Sequence, residues 1–158
     1  MFIKNTRSSS CKARIEIDSW QVLGEAAQAV RHAVFVEEQR IPAELERDPA
    51  DAGCIHAVAF DTDGQAVGTG RLLPLPDRVM KLGRLVVLRS WRGRRVGQAL
   101  LQALLDTARR RGACEVMLHA QQSATSFYLG AGFKPSGEEF MEADIPHLEM
   151  VLELKKGD

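Results

Sequence analysis

Four arginines, Arg89, Arg92, Arg94 and Arg95, crowd around Gly93 just before an apolar periodicity that begins at Val96. A helix starting there presents unpaired N–H groups and the positive end of its macrodipole, which favour acidic side chains and repel clustered cations. The arrangement makes sense if a polyanion sits among the guanidiniums. A glycine-containing turn ahead of a helix converges backbone N–H groups on a phosphate, and Gly93 and Gly97 let the main chain come close to one. No Gly-Lys-Ser/Thr follows, so this is not a Walker loop, and the absence of G-x-G-x-x-G excludes a dinucleotide fingerprint. From these residues alone, a solvated basic connection is the simpler alternative.

The loop must be held by the elements on either side. "RLVVL" before it reads as a strand, and Val96, Ala99, Leu100, Ala103, Leu104 and Ala108 after it fall on one helical stripe that Gly112 ends. Earlier, "ARIEI" alternates as a strand, and Asp18 or Ser19 can cap a helix running through "LGEAAQAVRHAVFVEEQ" until Pro42. The polar stretch from Arg40 to Gly53 suits a loop or short irregular helix bordering a site. "CIHAVAF", "QAVGTGRLLPL" and "VMKLGRLVVL" form an antiparallel meander, the first two joined at "DTDG". "CEVMLHA" is a buried strand, "SATSFYLGAGF" a short helix and "HLEMVLEL" a closing strand, so the class is α/β (α+β) with a mixed sheet.

A chain of 158 residues supports one domain, and 21 Lys+Arg against 21 Asp+Glu suggests neither a nucleic-acid nor a membrane partner. Residues 1–12 read as a Ser-rich flexible tail and 13–155 as the domain. The N-terminus has no apolar leader pattern and no run approaches the roughly 18 residues of a membrane span, so a cytoplasmic location is expected. Cys11, Cys54 and Cys114 have neither disulfide nor zinc spacing, and no metal is expected.

At "RRVGQA", Arg94-x-x-Gly97-x-Ala99, the chain resembles the Q/R-x-x-G-x-G/A signature of the GNAT acyl-CoA N-acyltransferases. "AQQSATSFYLGAGF" is similar to that family's A-x-x-x-Y-x-x-x-G-F segment, through Ala124, Tyr128, Gly132 and Phe133. "RHAVFVEEQ", "GTGRLLP", and the run of Phe140, Glu142, Ile145, Pro146, His147 and Met150 resemble the ElaA-like bacterial branch, so the likeness covers residues 14 to 154. It implies a GNAT fold with a mostly antiparallel sheet of about six to seven strands and about four helices. It also implies acetyl-CoA as co-substrate and transfer of its acetyl group to a primary amine, on a small molecule or a peptide, by direct attack in a ternary complex. Monomer and homodimer are equally compatible.

The resemblance places CoA against Arg92, Gly93, Arg94, Arg95, Val96, Gly97, Gln98 and Ala99. It sets Val86, Val87 and Leu88 beside the pantetheine with main-chain N–H groups toward the acyl oxygen, and Gln121 where many relatives have a CoA-contacting Asn. Tyr128 is the expected general acid, because a phenol stays protonated at neutral pH and can donate to a departing thiolate. Arg84 stands near the position where many GNAT enzymes carry a glutamate base, so Glu142 with His147 is the preferred proton acceptor, and His119 and Glu38 are others. The acidic residues Glu37, Glu38, Glu44, Glu46 and Asp48 are expected as an exposed loop, with attraction of a cationic amine as the alternative. Two rival functions remain. One is a non-catalytic acyl-CoA-binding or sensor domain. The other is an acyl-homoserine-lactone-synthase-like enzyme, suggested by Arg31 and Phe35 followed by acidic residues, although such synthases lack the R-x-x-G-x-A loop.

Overall fold

A computed structural model describes residues 12–154. The expected tail lies outside the described residues apart from Lys12, as do Cys11 and the last expected domain residue, position 155. The chain runs β1 (Arg14–Ser19), α1 (Trp20–Arg31), a π-helical segment (His32–Glu38), α2 (Ala43–Glu46), a 3-10 turn (Pro49–Gly53), β2 (Ile55–Phe60), β3 (Ala66–Leu75) and β4 (Val79–Val87). It continues through α3 (Val96–Arg110), β5 (Glu115–Gln121), α4 (Thr125–Gly130), β6 (Lys134–Pro135), β7 (Phe140–Glu142) and β8 (Ile145–Glu153). The sheet order is β1-β2-β3-β4-β5-β8-β6, with β7 also on β8, and among the described strands only the β4–β5 pair is parallel. The mixed, mostly antiparallel sheet is as expected. Its two shortest strands, β6 and β7, have too few residues to show a periodicity and leave no signal in the sequence.

The helix after the arginine loop packs on the sheet through a face wider than its predicted stripe. Val96, Leu100, Leu104 and Ala108 are buried as expected, and so are Leu101 and Leu105. Close approach depends on Gly68 and Gly70 of the "GTG" run: a Cβ on Gly68 would lie 2.9 Å from Leu100 Cδ1, and one on Gly70 2.9 Å from Leu104 Cδ1 and from Leu85 Cδ1. The two glycines seat α3 on β3, which fixes where the helix N-terminus emerges.

The first helix departs from expectation twice. Ser19 occupies its N-cap without a side-chain hydrogen bond; the Asp18 carboxylate instead accepts the Ser19 N–H at 2.8 Å. The helix then widens into π geometry from His32, ending with the Gln39 N–H donating to the Val34 carbonyl at 2.9 Å. The widened turn buries the neighbours Val34 and Phe35 together, and such turns recur at functional sites.

Candidate active site

β4 and β5 are paired over only four positions, Val79–Leu82 against Glu115–Leu118, and then diverge. A bulge in β4 accompanies the separation. Thr69 pairs with Val86 and Arg71 with Gly83, so β4 spends one more residue than β3 over this interval, and Arg84 takes a left-handed φ of 53°. The cleft is a cavity of about 500 Å³ lined by Gly83–Val87 on one side and Leu118–Gln121 on the other, with Phe35, Gln39, Ile41 and Tyr128 among its further walls. That size suits a small-molecule site.

The far end of β4 is only partly available. The Leu88 N–H already donates to the Val67 carbonyl at 2.9 Å, which removes it from the expected contact with an acyl oxygen. Antiparallel alternation then turns Val87 toward the open edge, where its carbonyl accepts from Arg92 Nε at 3.0 Å and its N–H points the same way. Arg92 is likewise occupied: both terminal nitrogens bond the Glu38 carboxylate at 2.7 Å, and Arg89 adds a 3.4 Å ion pair to it. These arginine contacts hold the Glu38 carboxyl below its ordinary pKa, so Glu38 is a weaker base than expected. Beyond them Gly93 (φ 79°) and Arg95 (φ 65°) turn the chain into α3, whose first turn has neither a side-chain cap nor an acidic residue. Arg94 lies over the Trp91 ring at 4.5 Å, and Arg94 and Arg95 are exposed without an acidic partner among the described residues.

Tyr128 of α4 is 8% exposed and lines the cavity, with Phe127 and Phe133 set edge-on to its ring at 5.1 and 5.7 Å. Its hydroxyl has no hydrogen-bond partner among the described residues. Burial raises its pKa well above the ordinary phenol value, so it stays protonated. Across the cavity wall, strand alternation puts His119 and Gln121 of β5 on one face with His147 and Glu149 of β8, and β7 adds Glu142. Glu142 contacts His119 Nδ1 at 3.0 Å, whereas His147 Nε2 is 3.9 Å away. The expected Glu142–His147 pair is therefore a trio in which His119 holds the shorter contact. His147 Nδ1 lies 2.7 Å from the Ile145 carbonyl and must donate to it, which leaves Nε2 as the basic nitrogen of the neutral ring.

Alongside the splayed parallel strands, the glycine turn into an uncapped helix and the buried tyrosine, the profile of the "Acetyltransferase (GNAT) domain" matches residues 22–154. The chain belongs to the GNAT family. Within it, the chain is 41% identical over 123 residues to "Uncharacterized N-acetyltransferase YjcF" of Bacillus subtilis, a match covering 77% of this chain and 86% of YjcF. Protein ElaA of Escherichia coli is 33% identical over 129 residues, covering 79% of this chain and 84% of ElaA. The ElaA crystal structure superposes with a TM-score of 0.80 at 29% identity, over 89% of this chain and 99% of ElaA, which supports the ElaA-like branch. An acyl-CoA N-acyltransferase from Pseudomonas aeruginosa gives 0.79 at 30% identity, over 88% of this chain and 98% of that one.

Of the positions expected to meet CoA in this GNAT domain, Val86, Val87, Arg92, Gln121 and Tyr128 line the cavity. Leu88 and the segment from Gly93 to Ala99, the turn and the first residues of α3, are not among its lining residues. Gln121 is fixed by its side-chain amide donating to Gln39 at 3.0 Å. Among the described residues no helix is long and apolar enough to cross a membrane, and no group of three His, Cys, Asp or Glu is placed to hold a metal ion.

A buried ion-pair network runs from the wall of the GNAT site, at Glu46 and Arg71, into the fold behind it. Glu46 and Asp51, together with Arg31 and Arg71, are almost fully buried. Arg31 bonds Glu46 through Nε and Asp51 through both terminal nitrogens, at 2.9 and 3.0 Å; Arg71 bonds Asp51 at 2.6 Å and Asp48 at 2.7 Å. The acidic stretch is thus only partly the exposed loop expected. Glu37 and Glu44 face solvent, but Glu46 and Asp48 are taken by arginines and are not free to attract an amine.

Burial opposes ionisation of Asp51 and Asp48, yet their arginine hydrogen bonds outweigh it and hold both below the ordinary 3.8. A depressed folded-state pKa contributes stability above the unfolded value and loses it as pH falls through the folded one. Thermal scans should show Tm falling modestly as pH drops below about 6.5, where burial makes the folded His56 resist a proton that the unfolded chain accepts, and falling steeply below about pH 4 as the two carboxylates are protonated. A Tm that climbs on acidification would contradict this arrangement.

Proposed function

We propose that this chain is an N-acetyltransferase that moves the acetyl group of acetyl-CoA to a primary amine within a ternary complex. The observation that carries the reading is the Tyr128 hydroxyl, buried and without a partner among the described residues, beside a cleft whose open β4 edge can pair with pantetheine. GNAT membership supports acyl-CoA as donor. In this account the phosphates rest on the first turn of α3 with Arg94 and Arg95, since Arg92 is committed to Glu38. The acceptor nitrogen attacks the thioester carbonyl carbon, and the Val87 N–H stabilises the oxygen as it becomes negative. The C–S bond then breaks, the sulfur receives the Tyr128 proton, and the phenol regains one from solvent. The amine's surplus proton leaves through water to Glu142, His119 or His147 Nε2.

Incubating the protein with acetyl-CoA and a panel of amines while following free thiol tests this reading. Amine-dependent thiol release with an N-acetylated product is expected. Tight CoA binding with no release for any amine would instead identify a binding module. Reversing charge at both Arg94 and Arg95 to Glu should weaken CoA binding about tenfold, and the residual binding should be less salt-sensitive, because both guanidiniums are exposed. An unchanged Kd in calorimetry would remove them from the phosphate site.

A further inference from the structure

The bulge in β4 falls between Gly83 and Val86. It places Arg84 on the cavity wall, and Lys81 lies on the same strand and the same wall. A non-glycine residue in the left-handed region costs about 1–3 kcal/mol and persists where its surroundings hold it, commonly at ligand sites. Arg84 is also the least satisfied arginine of its cluster. Its nearest oxygens are the Glu46 carbonyl at 3.4 Å, Asp48 Oδ2 at 3.6 Å and Glu46 Oε2 at 3.7 Å. These are long for charge-assisted hydrogen bonds, and the same carboxylates are already bonded by Arg31 and Arg71. Lys81 has no acidic partner among the described residues. Around Arg84, Arg31, Arg71 and Lys81 thus stand with it against Glu46, Asp48 and Asp51, and Glu142, the other carboxylate lining the cavity, is engaged by His119 at 3.0 Å. Burial and the repulsion of Arg71 and Arg31 lower the Arg84 pKa, outweighing the pull of Glu46 and Asp48. The surroundings of Arg84 therefore favour one more negative charge, and its side chain remains 26% exposed to receive it.

We infer that Arg84, assisted by Lys81, receives a carboxylate of the acceptor, so that the molecule acetylated is an amino acid, a primary amine bearing its own carboxylate. The inference rests on the acetyltransferase reading for the identity of the reacting end. Its anchoring end rests on the cation-rich wall alone. A bidentate guanidinium–carboxylate contact would hold one end of the acceptor while the amine meets the thioester.

Two measurements test it separately from that reading. In the thiol-release assay, amino acids are compared with their carboxamides and with the corresponding decarboxylated amines. The best carboxylate-bearing acceptor should exceed its carboxamide in kcat/KM by about tenfold or more, the scale of one charge-assisted contact. Arg84→Gln should bring that ratio close to one, chiefly through KM, while Arg84→Lys should keep some of it. A wild-type ratio at or below one, or a ratio that survives Arg84→Gln, would overturn the inference; the wild-type ratio decides even if a variant fails to fold. In the second measurement, CoA-loaded protein is titrated with N-acetyl amino acids and their carboxamides, which requires no turnover. Arg84-dependent preference for the carboxylate without any acetylation would uphold the anchor and sink the acetyltransferase reading. Acetylation of amines with no carboxylate preference in either measurement would do the reverse.

Discussion

Tyr128→Phe is expected to lower kcat by about 10²- to 10⁴-fold, the usual contribution of a positioned proton donor, with the KM for acetyl-CoA changed by no more than about threefold. The split follows from where the hydroxyl sits. The ring is packed by Phe127 and Phe133, and Phe keeps that packing, so donor binding survives. The hydroxyl has no protein partner to lose among the described residues, so denaturant unfolding should change by less than about 1 kcal/mol, the net worth of an ordinary hydrogen bond. Steady-state kinetics beside an unfolding curve separates the proton donor from a tyrosine that merely fills space. Full activity in the variant would remove Tyr128 from the chemistry.

Arg31→Ala is expected to destabilise the fold by about 3–5 kcal/mol, because it strands buried charge. Arg31 is 1% exposed and joins Glu46 of α2 to Asp51 of the following 3-10 turn, which also engages Arg71 of β3. Removing the guanidinium leaves Glu46 with the Gln28 amide and the distant Arg84, and Asp51 with Arg71. Chemical denaturation gives the value directly, and a loss under about 1 kcal/mol would show that water or rearrangement compensates. The network matters to the site as well as to the fold. Glu46 and Arg71 line the cavity, and because Arg31 bonds Glu46 and Arg71 bonds Asp48, Arg84 shares those carboxylates only at 3.6 to 3.7 Å.

What the sequence reveals and what it conceals follow from the range of the forces involved. The glycine turn, the helix after it and the tyrosine segment are local patterns, each legible within about fifteen residues. The Glu38–Arg92 bond spans 54 positions and the Gln39–Gln121 bond 82, so neither leaves a local trace. For that reason Arg92 reads as free for phosphate and Glu38 as free to act as a base until the fold brings them together. The bulge that positions Arg84 is hidden for a related reason: it is a register difference between two strands, and "KLGRLVV" alone does not show its partner. His119 reads in the sequence only as an alternative base. Its 3.0 Å contact with Glu142 depends on β7, a three-residue strand with no readable period.

The proposed function requires the cleft between the diverging ends of β4 and β5 to present an acyl-CoA sulfur to Tyr128. A crystal structure with acetyl-CoA bound tests it most directly. Pyrophosphate is expected against the first turn of α3 beside Arg94 and Arg95, the acetyl oxygen at the Val87 N–H, and the sulfur within about 3.5 Å of the Tyr128 hydroxyl. A CoA bound elsewhere, or one whose sulfur lies beyond the reach of Tyr128 even through one water, would contradict it.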